Sequence, residues 1–293
     1  MTREQLSITR RDFMRGAASA AVAAAVGLPL QAAETEKRSR VVLIRDAGVL
    51  GADGKINSVI LGRMLDQAVA KLMGEPNALA AWKRLVKPTS YVGIKSNAWN
   101  RLPTPPELEE IIRKRVISAG VPGERVFCDD RGSKDKFAAA TALINVRPAR
   151  VHNWSGMGSC LKNYIILTPK PSEYHPDSCA RLGEIWHLPV VKGKTRLNIQ
   201  VLLTPHFYGR GPQGYDPRYL WPYKGLAVSL DPVAVDTVAA HLLKTKRIKY
   251  FGEEQPITPT SHIQVADTKY GLGVSDLNRI DLIKLGWQKD ILI

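Results

Sequence analysis

Cysteine is scarce in this chain and forms no motif. Among the 293 residues there are three cysteines, and Cys128, Cys160 and Cys179 lack the Cys-x-x-Cys spacing that ferredoxin-type clusters and structural zinc sites use. We therefore expect no iron–sulfur cluster, and the sequence identifies no other cofactor. In an oxidising compartment three cysteines allow at most one intramolecular disulfide, and the sequence does not say which pair would form it.

A strongly apolar run long enough to span a bilayer is also missing. The nearest candidate, residues 16–33, is uncharged but rich in alanine, which contributes little apolar surface. A transmembrane helix needs about 20 predominantly apolar residues. We therefore expect no stable membrane span in the mature protein.

The N-terminal segment has the layout of an export signal. Residues 9–15 read Thr-Arg-Arg-Asp-Phe-Met-Arg, which resembles the twin-arginine consensus, and residues 30–32 form a small-residue cleavage site. The sequence predicts a signal peptide over residues 1–33 and a mature domain over residues 34–293. The Tat translocase is then a partner during export, and the mature protein is periplasmic or otherwise extracytoplasmic. An uncleaved tether is the less favoured alternative.

Negative charge is outweighed by positive charge. The formal net charge is +15, and the chain after the predicted signal stays strongly basic. A basic balance suits phospholipid headgroups, carboxylates, phosphates or nucleic acid. No zinc-finger, basic-zipper or RNA-binding signature accompanies the charge, so we predict no nucleic-acid partner and infer a small anionic ligand or a membrane surface. A merely solvated basic surface is the competing interpretation.

Strand-like and helix-like segments alternate along the mature chain. Its composition, 44% hydrophobic and 24% charged, is that of a globular protein. The patterns predict strands at 40–45, 90–95, 125–128, 143–146, 197–203, 225–230 and 281–285. They predict helices after an Asn57 or Ser58 cap, at 78–85, after a Thr104 cap, at 158–164 and at 232–243. This alternation predicts an α/β fold with a mainly parallel or mixed sheet and helices on both faces, in one large domain or two closely packed halves.

Three segments carry a family resemblance. Residues 92–97 read Val-Gly-Ile-Lys-Ser-Asn, residues 152–163 read His-Asn-Trp-Ser-Gly-Met-Gly-Ser-Cys-Leu-Lys-Asn, and residues 230–236 read Leu-Asp-Pro-Val-Ala-Val-Asp. In order and spacing they resemble the domain-of-unknown-function 362 family, over nearly all of the chain from about Val41. Many members carry a ferredoxin-like cysteine module, which implies redox roles, and this chain lacks it. A similarity to the lactate racemase group, where histidines and a lysine serve a nickel-pincer nucleotide, is too remote to assign residues.

The second of these segments is the most informative. Gly156 and Gly158 allow backbone amides to approach a ligand, and a helix beginning near Gly158 would direct free N–H groups at an anion. His152, with an ordinary pKa of about 6.5, suits a general acid–base group or a metal ligand. We predict His152 and Lys162 as catalytic residues, and Gly156, Gly158 and Asn163 as ligand-binding residues. The alternative is a purely structural strand-to-helix turn.

Polar residues at predicted strand ends complete the candidate site. Ligands of α/β folds sit beyond the carboxyl ends of the strands, where we predict Lys95, Asn97 and Asp129 as ligand-binding residues. A merely solvated strand-end lysine is the competing interpretation. Asp231 is placed to cap the helix on which Asp236 lies. We predict Asp236 as catalytic, with a salt bridge to a core arginine as the alternative.

A long loop, residues 206–221, is dense in glycine, aromatic residues and arginine. Long loops in compact domains tend to be functional, so we predict a lid or ligand clamp with Arg210 as a ligand-binding residue. Alternatively, the aromatic residues simply anchor the loop to the body. One departure from the family pattern is Val201, near which related sequences tend to carry an aspartate.

Cys160 and two histidines are the remaining candidates. At a helix start the Cys160 thiol would have a lowered pKa and be reactive, and the commoner case is a buried, inert cysteine. His152, Cys160 and His206 have the chemistry of a metal site but not the spacing of a known motif, so the metal ligands stay unknown.

Two functions fit these observations. The first is an exported α/β enzyme, redox or isomerase-like, that acts on a small anionic substrate with His152 and Lys162 at its centre. The second is a non-catalytic periplasmic ligand-binding or accessory protein that serves a cofactor-containing partner, favoured by the missing cysteine module and by Val201. Convergence of the predicted residues on one concave pocket would favour the enzyme.

Overall fold

A computed structural model describes residues 38–209 and 214–293. The predicted signal peptide and Arg210 lie outside the described residues. None of the described helices is both long and apolar enough to cross a membrane.

The described residues form one mixed sheet of eight strands. They are β1 (Ser39–Arg45), β2 (Val92–Lys95), β3 (Val126–Asp129), β4 (Ala142–His152), β5 (Gly156–Gly158), β6 (Thr195–His206), β7 (Gly225–Ser229) and β8 (Ile280–Gly286). Their order is β3-β2-β4-β6-β7-β1-β8, with β5 paired to β4 beside this path. β3, β2, β4 and β6 are parallel, as are β1 and β8, whereas β7 is antiparallel to both neighbours. The predicted α/β sheet is confirmed in its mixed form.

Helices cover both faces of this sheet. They are α1 (Ser58–Met73), α2 (Ala78–Leu85), α3 (Pro106–Ser118), α4 (Lys134–Ala139), α5 (Cys160–Asn163), α6 (Leu182–Ile185), α7 (Pro232–Phe251) and α8 (Ser261–Thr268). Buried residues of α1, α2 and α3 form one hydrophobic cluster with the sheet, and those of α5, α6, α7 and α8 form a second. One α/β domain with two covered faces results.

Side chains of the central strands alternate between two different environments. Ile94, Ile144, Ile199 and Val201 belong to the cluster with α1–α3, and we call this side the apolar face. The alternate residues point the other way, toward α5 and α7, and we call that side the polar face. Its buried strand residues include Lys95, Asn145, Arg147, Asn198 and Gln200. Val201, the departure from the family pattern, therefore faces away from the polar side.

Helix ends follow local capping chemistry. Asn57 accepts a hydrogen bond from the Ile60 amide at 3.1 Å, and Gly74 ends α1 with φ 68°, as predicted. The predicted Thr104 cap is wrong, since α3 begins at Pro106 without a side-chain cap. The Thr104 hydroxyl accepts instead from the Asn97 amide at 3.1 Å. Thr104 therefore ties the loop after β2 rather than starting a helix.

The remaining differences concern segments with little periodicity. β4 extends to His152 rather than ending at Val146, and the glycine segment 156–158 pairs with β4 as β5. The helix predicted over 158–164 is the short α5. α7 continues eight residues beyond the predicted end at Leu243, because its glycine stop is Gly252. α4, α6 and α8 were not predicted. α4 and α6 span too few residues to show a clear helical period, and α8 begins without a side-chain cap.

Candidate functional site

The carboxyl ends of four parallel strands bring the candidate residues to one edge of the sheet. β2 ends at Lys95, β3 at Asp129, β4 at His152 and β6 at His206. Because β3, β2, β4 and β6 are parallel neighbours, these ends point toward the same edge of the sheet. β4 and β6 continue beyond β2 and β3, since Lys95 is paired with Asn145, and Arg150 with His206. The position predicted for a ligand in an α/β fold is thus where the polar residues gather.

Lys95 forms a buried ion pair that the sequence did not predict. Its Nζ lies 2.6 Å from the Asp130 carboxylate and 2.7 Å from the Ser96 carbonyl oxygen, and its side chain is fully buried. Burial lowers the pKa of Lys95 to about 8, partly opposed by Asp130. Asp130 also accepts from the Ala98 amide at 3.0 Å and from Arg131. Lys95 is therefore already partnered within the chain.

Two arginines on the extension of β4 lie beside this pair. Arg147 and Arg150 are both buried, and burial lowers the pKa of each, to about 10 for Arg147. Arg150 donates to the Asn97 side-chain oxygen at 3.0 Å and stacks on Trp99, 4.4 Å from the ring centre. Arg147 Nε is buried and has no acceptor among the described residues. An arginine with a buried, unused donor is suited to a ligand anion.

Lys162 is the fourth buried cation, and its partner is a thiol. Its Nζ lies 3.2 Å from Cys179 Sγ, and only 2% of Lys162 is exposed. Burial lowers the pKa of Lys162 to about 8, with Arg147 and Arg150 adding to the effect and Cys179 opposing it. Among the described residues, no ion pair includes Lys162, Arg147 or Arg150.

Three histidines surround these cations in their neutral form. Burial, helped by the positive charges of Lys162 and Arg147, lowers the pKa of His152 to about 2 and that of His262 to about 3. Burial and Lys162 lower the pKa of His175 to about 4. The Trp154 amide donates to His152 Nδ1 at 3.2 Å, so the proton of neutral His152 sits on Nε2. Both ring nitrogens of His262 are buried without a partner among the described residues.

We define the cationic cluster as Lys95, Arg147, Arg150 and Lys162 with His152, His175 and His262. The positive charge of Lys162 lowers the pKa of each of the three histidines. All three histidines therefore lie near Lys162. Asp130 and Asp236 are the buried carboxylates close enough to act on Arg147. With four cations against two carboxylates, positive charge exceeds negative charge in a buried site.

Asp236 has a structural role that accounts for its burial. It accepts from Ser159 Oγ at 2.5 Å, from the Cys160 amide at 2.9 Å and from the Leu161 amide at 2.8 Å. The free amides predicted to bind a ligand at the start of α5 are therefore occupied by a carboxylate of the chain itself. Burial raises the pKa of Asp236 to about 7, against the effect of these hydrogen bonds and of Arg147.

The two predicted glycines are explained by close packing. A Cβ at position 158 would lie 3.0 Å from Arg147 Nη2, so Gly158 makes room for the guanidinium group. Gly156 has φ 69°, and a Cβ there would collide with the Thr258 carbonyl oxygen. Gly158 therefore makes room for Arg147, and Gly156 makes room for Thr258. Close packing explains glycine at both positions without a bound ligand.

Two predicted asparagines bind other parts of the chain. Asn163 Nδ2 donates to the Lys95 carbonyl oxygen at 3.0 Å and to Asn145 Oδ1 at 2.9 Å, and Asn145 in turn donates to Asn198. This asparagine chain crosses the polar face from α5 to β6. Asn163 Oδ1 is buried without a donor among the described residues. Asn97 accepts from Arg150, as described above.

Asp129 is set apart from the cluster. Its carboxylate accepts from the Arg131 amide at 3.1 Å and the Gly132 amide at 3.3 Å, and the residue is partly buried. These turn hydrogen bonds, together with one from Ser133, lower the pKa of Asp129 against the effect of desolvation. The carboxylate that faces Lys95 is that of the next residue, Asp130. Asp129 therefore shapes the turn after β3.

His152 connects the cluster to a cavity. A cavity of about 650 Å³ is lined by His152, Asn153, Tyr208 and the segment 256–258. Tyr208 belongs to the loop predicted to be a lid. On its other side the same segment 256–258 borders a second cavity, of about 730 Å³, beside α7. The Thr258 hydroxyl donates to the Asn153 carbonyl oxygen at 2.6 Å and fastens the segment over β5.

The metal site weighed from the sequence does not form. Cys160 Sγ contacts Gln200 Oε1 at 3.6 Å, whereas His206 Nε2 lies 3.1 Å from the Asp216 carbonyl oxygen. In residues 38–209 and 214–293 there is no group of three or more His, Cys, Asp or Glu side chains that could hold a metal ion. Cys128, Cys160 and Cys179 are all free. Burial raises the pKa of Cys160 well above its usual value, so Cys160 is the buried, inert alternative.

Sequence reasoning missed several members of the cluster. Arg147 and Arg150 lie in a strand that was predicted to end before them, and their alternation with Val146 and Ala149 was the available signal. Asp130 follows directly on the predicted Asp129. Cys179, His175 and His262 come from segments without a clear period, and only the fold brings them to Lys162.

Together, the fold and the site define an α/β protein with a buried, net-positive site at the carboxyl ends of its parallel strands. A family model described as "Domain of unknown function (DUF362)" matches residues 94–241, which include Lys95, His152, Lys162 and Asp236. The chain belongs to this family. A search of curated proteins and a search of solved structures found no match.

Proposed function

We propose that this protein is an enzyme that acts on a small organic anion bound at the cationic cluster. The observation that carries the proposal is the buried positive charge of Arg147, Arg150 and Lys162, none of which has an ion-pair partner among the described residues. Burying a charge without a counter-ion costs free energy of folding. A carboxylate or phosphate ligand would offset that cost and use the free Arg147 donor.

Proton transfer next to a carboxylate is the reaction class that these residues support best. Lys162, with a pKa of about 8, is close enough to neutrality to accept and return a proton. Arg147 and Arg150 would stabilise the negative charge that develops on the substrate carboxylate when the neighbouring carbon loses its proton. This chemistry is isomerase-like, and a redox reaction would use the same anion site.

His152 would change its protonation behaviour on ligand binding. Its pKa is low because it is buried beside Lys162, Arg147 and Arg150. A bound anion would offset these cations and move the pKa of His152 upward, toward the range in which it acts as an acid or base. His152 also lines the 650 Å³ cavity, so it is the cluster residue placed to meet a ligand.

The second candidate function is ligand binding without catalysis. It is favoured by Asp236, whose carboxylate is engaged by Ser159 and two amides at the start of α5. Because these hydrogen bonds already explain why Asp236 is buried, Asp236 need not be catalytic. The site would then bind anions with fewer groups available for catalysis. Such a protein would serve as a periplasmic binding or accessory protein.

The experiment that separates these functions follows hydrogen exchange in D2O. Small chiral carboxylates are incubated with the purified protein, and proton NMR records exchange at the carbon next to the carboxylate. We expect exchange with the natural chain and a loss of about 100-fold or more in Lys162→Met, with Lys170→Met, an exposed lysine, as the matched control. Binding without exchange would identify the accessory function, and equal rates in all three proteins would contradict the assignment of Lys162.

Export by the twin-arginine pathway is part of the proposal. The support is the sequence Thr-Arg-Arg-Asp-Phe-Met-Arg at residues 9–15 and the cleavage site that follows it. Replacing Arg10 and Arg11 together by lysine should retain the full-length protein in the cytoplasm. Fractionation and immunoblotting measure this, and unchanged export of the double variant would contradict the pathway.

A further inference from the structure

The contact between Lys162 and Cys179 is unusual because a buried ammonium group would ordinarily be paired with a carboxylate. Lys162 Nζ lies 3.2 Å from Cys179 Sγ, and this is its one hydrogen bond among the described residues. Lys162 is 2% exposed and Cys179 is fully buried. The fold therefore holds the amine and the thiol in direct contact.

The backbone around Cys179 holds the sulfur in this position. Asp177, Ser178 and Cys179 have φ values of 52°, 54° and 63°, three consecutive left-handed residues that are not glycine, so the segment is not a right-handed helix. The remaining sulfur contact is a weak one to the His175 carbonyl oxygen, at 3.7 Å. Cys179 Sγ thus points at Lys162 without a strong competing partner.

The other two cysteines have no hydrogen bond to an amine within residues 38–209 and 214–293. Cys160 Sγ contacts the Gln200 side chain, and Glu109 is the charged group with the largest influence on Cys128. Burial raises the pKa of both thiols. Cys160 and Cys128 therefore serve as internal comparisons for any reaction specific to the Lys162–Cys179 contact.

We infer that Cys179 and Lys162 form a covalent sulfur–nitrogen bond when the protein meets hydrogen peroxide. Cys179 Sγ attacks a peroxide oxygen, the O–O bond breaks, and a sulfenic acid and one water result. The lone pair of neutral Lys162 Nζ then attacks that sulfur, the S–O bond breaks, and the hydroxyl leaves with an amine proton as a second water. The net change is one thiol, one amine and one peroxide to a sulfenamide and two waters.

Two features favour this outcome over further oxidation to sulfinic acid. The amine is already at contact distance from the sulfur, so it traps the sulfenic acid before a second peroxide arrives. The lowered pKa of Lys162, about 8, leaves more of it neutral near pH 7 than an ordinary lysine. The bond would remove the positive charge of Lys162 from the cationic cluster, although the inference itself does not depend on the proposed function.

The test uses full-length protein in which Cys128→Ser and Cys160→Ala leave Cys179 as the single thiol. No intramolecular disulfide can then form, so a product lighter by two hydrogen atoms is not a disulfide within one chain. After treatment with hydrogen peroxide and alkylation of free thiols, peptide mass spectrometry should find the Lys162 and Cys179 peptides joined, and dithiothreitol should separate them. A second digest without peroxide provides the baseline.

Lys162→Arg in the same background is the matched control, because it keeps a cation and removes the nucleophilic amine. We expect no joined peptide in it, and Cys179 oxidised to sulfinic acid instead. In the Lys162 protein itself, three results would overturn the inference: Cys179 joined to another lysine, sulfinic acid with Lys162 unmodified, or no reaction. These three results are measured on the protein that keeps Lys162. They are therefore valid even when Lys162→Arg does not fold.

Discussion

The two faces of the sheet differ in what they bury. The apolar face buries aliphatic side chains of the strands under α1, α2 and α3, and the first two of these helices have asparagine caps. The polar face buries Lys95, Arg147, Lys162 and an asparagine chain under the 20-residue α7, three shorter helices and irregular segments. Burial of polar groups is tolerated only with partners, so the face where partners are incomplete is the face suited to bind a ligand.

The largest expected effect comes from breaking the buried ion pair. Asp130→Asn leaves Lys95 buried without a carboxylate, and we expect the free energy of unfolding to fall by about 3–5 kcal/mol. Asp129→Asn is the matched control, because Asp129 binds turn amides at the surface, and it should change the free energy of unfolding by less than about 1 kcal/mol. Urea unfolding at pH 7 measures both, and equal effects would show that Asp130 is not the partner of Lys95.

A smaller effect is expected at Asp236. Asp236→Asn replaces an acceptor of three hydrogen bonds and should lower the free energy of unfolding by about 1–3 kcal/mol.

The contribution of Asp236 to stability should also depend on pH. Because the folded pKa of about 7 lies above the ordinary 3.8, the folded state binds the proton more tightly, and stability decreases as pH rises from about 4 to 7. Asp236→Asn should lose this decrease, and a parallel decrease in both proteins would contradict the raised pKa.

The apolar face provides a reference for ordinary helix capping. Asn57→Ala removes the hydrogen bond to the Ile60 amide at the start of α1 and should lower the free energy of unfolding by about 1 kcal/mol. Because α1 lies on the apolar face, anion binding at the cationic cluster should be unchanged. Urea unfolding and calorimetric titration measure the two quantities. Loss of anion binding in Asn57→Ala would show that the two faces are coupled.

The smallest stability effect is expected at Lys162, because no carboxylate of residues 38–209 or 214–293 is paired with it and would be left without a partner. Lys162→Met should keep the free energy of unfolding at pH 7 within about 1 kcal/mol of the natural value or raise it slightly, in contrast to Asp130→Asn. Above about pH 8 the advantage of the methionine variant should shrink, because the folded lysine releases its proton there. A large loss of stability would contradict this expectation and would mean that the contact with Cys179 stabilises the fold.

Much of the apolar face could be predicted from the sequence because its signals are local. α1 shows a regular apolar period between Asn57 and Gly74, and α2 was predicted with its observed bounds. On the polar face the deciding contacts join distant segments, such as Asp236 with Ser159 or Lys162 with Cys179. No local period predicts such contacts, although strand alternation in β4 does point Arg147 to the same side as Asn145.

The candidate site was predicted in part. His152, Lys162 and Lys95 do lie in one cluster, because the parallel strands β2 and β4 end at the same edge of the sheet. Asp129 does not belong to this cluster, because its carboxylate accepts hydrogen bonds from amides of the turn after β3. The residue that pairs with Lys95 is Asp130. Gly156 and Gly158 were predicted to let backbone amides approach a ligand, which stays a prediction. The groups that the structure places close to them are Thr258 and Arg147.

Anion binding at Arg147 tests the central claim most directly. Isothermal titration of the natural chain with malonate and with inorganic phosphate should detect binding that weakens with salt. Arg147→Met should lose at least about tenfold in affinity, or 1.4 kcal/mol, while Arg84→Met, an exposed arginine on α2, should bind like the natural chain. Equal affinity in all three folded proteins, or no binding of either anion, would contradict a buried anion site on the polar face.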